Sequence, residues 1–162
     1  LKYIGDKGVE YLSKCAKLVN LRELKLERNE ITDKGIQFLA ESTILTNLKY
    51  LSLERNSIGD EGVRSICLSP LFSHLTELNL WKNEVGSEGA KAIADSLVLS
   101  KLQKLDLAKN KIGDDGGKAL AESQTLTSLK YVDLFGNGIS EETQGIIKES
   151  INFKNLQHLV LA

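Results

Sequence analysis

The pattern L-x-x-L-x-L-x-x-N returns every 27 residues, and that period leaves few folds open to the chain. It begins at Leu21, Leu48, Leu75, Leu102 and Leu129, reading LRELKLERN, LKYLSLERN, LTELNLWKN, LQKLDLAKN and LKYVDLFGN, with a shortened LQHLVLA at Leu156. A second pattern follows on the same period: NEITDKGIQFLA (29–40), NSIGDEGVRSIC (56–67), NEVGSEGAKAIA (83–94), NKIGDDGGKALA (110–121) and NGISEETQGIIK (137–148). No insertion interrupts it. Self-similarity at a fixed period of this length marks stacked supersecondary units that share one continuous core.

Each unit changes period halfway. The last two leucines of L-x-x-L-x-L stand two apart, which predicts short strands centred on 23–25, 50–52, 77–79, 104–106, 131–133 and 158–160. Further on, Val63, Ile66 and Cys67, like Ala90, Ile93 and Ala94, recur at helical spacing. Asp33, Asp60, Ser87 and Asp114 precede these stretches, where helix N-caps are expected. Glu61, Glu88 and Asp115 suit the positive end of each helix dipole. One coil cannot bury its apolar side alone, so neighbours complete it. In the second unit Leu48, Leu51, Leu53, Ile58, Val63, Ile66 and Phe72 are the expected core. The recurring Asn29, Asn56, Asn83, Asn110 and Asn137 are then inward, with amides satisfying backbone groups where the strands bend, because an unpaired buried amide is costly. Ser42, Ser69, Ser96, Ser123 and Ser150 recur near the helix ends, where local bonding to the backbone is expected.

These motifs resemble the leucine-rich repeat family, in particular its ribonuclease-inhibitor-like class. The resemblance covers essentially the whole chain and implies an α/β solenoid: a horseshoe with a concave parallel β-sheet and convex helices. One domain spans 1–162, with a partial repeat at 1–20, full repeats at 21–47, 48–74, 75–101, 102–128 and 129–155, and a truncated repeat at 156–162. Units of the class are typically slightly longer and often of two alternating lengths, whereas these are uniformly 27.

Several functions are argued against. NKIGDDGGKALA looks like a phosphate loop, but three residues rather than four separate Gly113 from Gly117, Ala119 follows Lys118, and Asp114 and Asp115 would repel phosphate. A net charge of −1 is wrong for a generic nucleic-acid or membrane binder. No apolar run approaches the ~20 residues of a membrane span. His74 and His158 fall in no metal-ligand spacing, and no nucleophile motif occurs, so no catalytic residue, metal or cofactor is expected. The acidic loops before the helices lack the alternating oxygen ligands of a calcium loop. Cys15 and Cys67 lie two units apart, roughly 10 Å or more at the strand spacing, too far for a disulfide. Both are expected as free, buried thiols, which favours a reducing compartment.

Leucines facing inward leave the residues between them on the concave face. Counting from the first leucine, the third position reads Glu23, Tyr50, Glu77, Lys104, Tyr131 and His158, and the fifth Lys25, Ser52, Asn79, Asp106, Asp133 and Val160. The seventh reads Glu27, Glu54, Trp81, Ala108 and Phe135, and the eighth Arg28, Arg55, Lys82, Lys109 and Gly136. These positions vary while the frame repeats. Trp81, Tyr50 and Tyr131 are of types enriched in binding hot spots, and Phe135, an aromatic with no obvious core slot, and His158 extend their surface. Arg28, Arg55, Lys82 and Lys109 are expected to stack like charges on neighbouring strands, with Glu27 and Glu54 partly neutralising the first half. The row reads either as a solvated face of flexible side chains or as a surface for a partner's acidic patch.

The expected function is protein–protein interaction through the concave face, with no nucleic acid and no membrane as partner. Two alternatives stand beside it: a regulator of an enzyme (an inhibitor or a GTPase activator), and a docking or sensor arm of a larger receptor, effector or enzyme. The expected location is cytoplasmic, or the host cell cytosol if the parent is a bacterial effector. Because the chain opens and closes in mid-unit, a larger parent is expected. Apolar edges at Ile4, Leu12 and Leu18, and at Leu156, Leu159 and Leu161, would favour end-to-end self-association.

Overall fold

A computed structural model describes residues 2–154 and 156–162. Its six strands are β1 (Glu23–Lys25), β2 (Tyr50–Ser52), β3 (Glu77–Asn79), β4 (Lys104–Asp106), β5 (Tyr131–Asp133) and β6 (His158–Val160). They form one parallel sheet in chain order. The register advances by one repeat per strand, Leu24 opposite Leu51, then Leu78, Leu105, Val132 and Leu159. A period without insertions allows only this register, and each central residue drops into the core: Leu51 and Leu105 are fully buried. Six helices alternate with the strands: α1 (Gly5–Ser13), α2 (Asp33–Ala40), α3 (Asp60–Leu68), α4 (Ser87–Asp95), α5 (Gly113–Ala121) and α6 (Glu141–Glu149). None is long and apolar enough to cross a membrane. The core side chains expected of the second unit are all fully buried.

The asparagines turn inward and are satisfied across coils. Asn110 Oδ1 accepts the amide of Val85 in the preceding coil at 2.9 Å, while its Nδ2 donates to Leu80 O and Leu107 O, both at 2.9 Å. Asn56, Asn83 and Asn137 repeat the pattern, and Asn29 reaches back to Ile4. Asn83, Asn110 and Asn137 are buried; Asn29 and Asn56 are half-buried.

The acidic residues at the helix starts are not the caps of their own helices. Asp33, Asp60 and Ser87 are the first helical residues and Asp114 is the second; the residues in cap position are Thr32, Gly59, Gly86 and Ile112. The carboxylates reach forward instead. Asp6, Asp33, Asp60 and Asp114 accept the amides of Thr32, Gly59, Gly86 and Ser140, the cap residues of the next coil, at 2.7–2.8 Å. Gly35, Gly62 and Gly89, each the third residue of its helix, make room for that carboxylate: a Cβ on Gly89 would stand 2.6 Å from Asp60 Oδ1. Gly89 N–H donates to the same oxygen at 2.9 Å. The loop that resembles a phosphate cradle is a coil-to-coil staple.

The serines also bond across coils. Ser69, Ser96 and Ser123 donate to the carbonyls of Ala40, Cys67 and Ala94, and their oxygens accept local amides as well. Three further expectations change. Cys15 is half-exposed, and only Cys67 is buried; both are free. Ser52 faces the concave side yet is fully buried, because it is the smallest side chain of its row. Of the apolar edges, Ile4 is exposed, Leu12, Leu18, Leu156 and Leu159 are half-buried against the core, and Leu161 is buried.

Candidate functional site

The strands are short, so the sheet ends after the fifth position and the chain turns. Asn79, Asp106 and Asp133 govern that turn: each accepts the amide two residues on, from Trp81 at 2.8 Å, Ala108 at 3.0 Å and Phe135 at 2.9 Å. The short polar side chain thereby fixes the residue that follows the last core leucine. Trp81 is half-buried and Phe135 is exposed at 43%, as residues without a core slot should be, whereas the smaller Ala108 between them is buried.

The eighth position departs from expectation. Arg28, Arg55, Lys82 and Lys109 do not stack as strand residues; they stand past the strand ends with φ of 56°, 54°, 53° and 55°, and Gly136 in the same row has 69°. Their amides donate to the seventh-position carbonyls of the next coil, Arg55 to Trp81 at 2.9 Å and Lys109 to Phe135 at 2.7 Å, a bond that accompanies the left-handed turn on these four coils. The Arg55 guanidinium lies 4.6 Å from the Trp81 ring centroid, and Lys109 Nζ lies 5.3 Å from it. Trp81 is therefore flanked by cations from the coils before and after it, an attraction worth ~0.5–1 kcal/mol each at exposed sites. Beside them runs a groove of about 460 Å³ walled by Arg28, Arg55, Lys82, Glu30 and Glu84.

At the third position Tyr131 stacks face to face on His158, with centroids 4.7 Å apart and planes 5° from parallel. Lys104 Nζ lies 4.9 Å from the Tyr131 centroid, and Lys25 Nζ 5.6 Å from that of Tyr50. Burial, then the charges of Asp133 and Asp106, hold the Tyr131 hydroxyl above its ordinary pKa. Between Tyr50 and Tyr131 lies a hollow of about 90 Å³ lined by Glu77, Asn79, Lys104 and Asp106.

One relationship was missed in reading single columns. Asp106 and Asp133 stand opposite each other in the β4–β5 register, and among the described residues neither has a cation within 4 Å. Burial first, then the Asp133 charge, raises the Asp106 pKa. The signal was available in the sequence, since a register step of 27 makes them neighbours. The expected contact residues are thus all on one face, though in two groups: Tyr50, Tyr131 and His158 on the strands, and Trp81, Phe135 and the four cations along the rim.

Comparison with known proteins agrees with this architecture. A family model described as Leucine Rich repeat matches residues 17–40, 45–67, 73–94, 98–121 and 125–142. No curated protein sequence matches significantly. Among solved structures, the tropomodulin C-terminal domain of Caenorhabditis elegans aligns over 91% of this chain and 92% of its own, at a TM-score of 0.66 and 17% identity. An internalin from Listeria monocytogenes aligns over 91% of this chain and 43% of its own, at 0.56 and 22%. TLR13, solved as a complex with ssRNA13, aligns over 87% of this chain and only 18% of its own, at 0.53 and 25%. With the repeat motif matched over most of its length and the solenoid described above, the chain belongs to the leucine-rich repeat family.

Proposed function

We propose that this domain binds another protein on its concave face, through Tyr50, Tyr131 and His158 on the strands and Trp81 and Phe135 at the rim. The observation that carries the reading is the contrast between frame and face. Asparagine, aspartate and serine bonds tie each coil to the next, while Phe135 stays 43% exposed on that rigid support and the Tyr131–His158 stack stands beside it. Rigid aromatic side chains lose little entropy on binding, which is why they dominate hot spots. The role is binding rather than catalysis. A reducing compartment suits it, since both cysteines are free thiols.

Replacing Tyr131 and Phe135 together by Ala tests the reading. Partner capture should weaken by about 1 kcal/mol or more while the melting temperature changes little. Undiminished capture by the double variant would remove the concave face as the binding surface.

A further inference from the structure

We infer that the rim formed by Arg28, Arg55, Lys82 and Lys109 docks an acidic segment of the partner protein, one whose aspartate or glutamate side chains run along the solenoid axis. This rests on the concave-face reading and adds the chemistry of what is bound.

Two independent costs accompany these four residues. Left-handed backbone is strained for any residue with a Cβ and free of strain for glycine. Gly136 occupies the same row at φ 69°, so the fold accepts glycine there, yet four consecutive coils carry Arg or Lys at φ 53–56°. The second cost is repulsion. Arg28, Arg55 and Lys82 each donate their amide to the coil that carries the next cation, at 2.8–2.9 Å, which sets the four charges on adjacent coils. Strand spacing makes that about 5 Å per step, inside the screening length of physiological salt.

The protein neutralises the row only in part. Among the described residues, Arg28, Lys82 and Lys109 have no carboxylate within 4 Å. Arg55 has one, Glu54, at 3.6 Å from its Nε, too long for a hydrogen bond, and that Nε is buried without an acceptor. Trp81 gives the row its rigidity. Its ring sits within 4.6 Å of the Arg55 guanidinium and 5.3 Å of Lys109 Nζ, so two of the cations are braced rather than free to sweep through solvent. A braced guanidinium without a carboxylate at hydrogen-bond distance favours a planar carboxylate, which it can hold by two parallel hydrogen bonds.

Acidic protein rather than nucleic acid is favoured by the carboxylates of the groove. Glu30 and Glu84 line the same groove as Arg28, Arg55 and Lys82. A phosphate backbone, charged at every unit, would meet those carboxylates; a peptide can place its acidic side chains on the cations and neutral ones beside Glu30 and Glu84. The net charge of −1 over the chain points the same way.

The test uses fluorescein-labelled 12-residue probes in an anisotropy titration at low salt: alternating glutamate and alanine, alternating lysine and alanine, and an oligouridylate. The acidic peptide should bind, weaken as salt is added, and lose at least tenfold in affinity in the R28Q/R55Q/K82Q/K109Q variant. A charge-matched control, K101Q/K130Q/K148Q/K154Q, should retain it. Lys82→Gly and Lys109→Gly keep the backbone conformation of Gly136, so each should melt at an equal or higher temperature and still bind the probe more weakly. Tighter binding of the oligouridylate, no binding of the acidic peptide, or equal loss in the control overturns the proposal. Partner capture that survives the rim variant but fails in Tyr131→Ala/Phe135→Ala refutes the acidic segment and leaves the concave-face reading standing. Capture that survives both refutes the two together.

Discussion

The Asp60 carboxylate, on the first residue of α3, accepts the amide of Gly86 at 2.7 Å and so caps the following helix rather than its own. Gly89 N–H joins the same oxygen. Two amides of α4 that no intrahelical carbonyl can reach are thereby satisfied by the preceding coil. The arrangement makes each helix start dependent on its neighbour.

Asp60→Ala should destabilise the protein by ~1–3 kcal/mol, because it leaves both amides without an acceptor in a closely packed helix contact. Asp95→Ala, an exposed change in the same helix layer, should stay within about 0.5 kcal/mol. Urea titration reads this as a shift of the midpoint at constant slope. An equal effect of the two substitutions would show that the carboxylate is only solvated.

Ser87 is the exception in its row, and α5 adapts to it. Without a carboxylate from the previous coil, Gly113 turns to φ 64° and its amide donates to Asn137 O of the next coil at 2.9 Å, whereas Gly59 and Gly86 remain extended. Gly113→Ala should therefore cost roughly 1–2 kcal/mol. In a Ser87→Asp background the new carboxylate can hold residue 113 extended, and the cost should shrink. A double-mutant cycle with strictly additive effects would refute the coupling.

Asp106→Asn should stabilise the protein by ~0.5 kcal/mol at neutral pH, since like charges directly opposed on adjacent strands repel and Asn79 shows that an amide fills the same turn. The sign follows from the raised folded pKa: ionisation opposes folding, so the wild type loses stability as pH rises from the unfolded value through the folded one. The advantage of the variant should vanish below that window. An advantage of the variant as large at a pH below the ordinary aspartate pKa as at neutral pH would contradict it.

The two thiols should react very differently. Burial pushes the Cys67 thiol up to about 12, so it stays protonated and shielded at neutral pH, while Cys15 is half-exposed. A chromogenic disulfide reagent should titrate one thiol in the native protein and two in denaturant. Rapid release from both in the native state would place Cys67 at the surface.

Alternation at two and recurrence at three to four were enough to locate the strands, the helices and the inward leucines. Backbone geometry alone decides which side chains of one element share a face. An unbroken 27-residue step likewise fixed the register, and with it the burial of Leu51, Leu78 and Leu105. What stayed hidden were the side-chain relationships that reach from one coil to the next beyond the strand register. Whether Asp60 serves α3 or α4, whether Ser96 bonds locally or to Cys67 O, and whether Arg55 rests on solvent or on Trp81 depend on the offset between stacked coils. The turn at the eighth position belongs to the same class. It accompanies the bonds of the Arg28, Arg55, Lys82 and Lys109 amides to carbonyls of the next coil, pairings invisible to a reading of one repeat at a time.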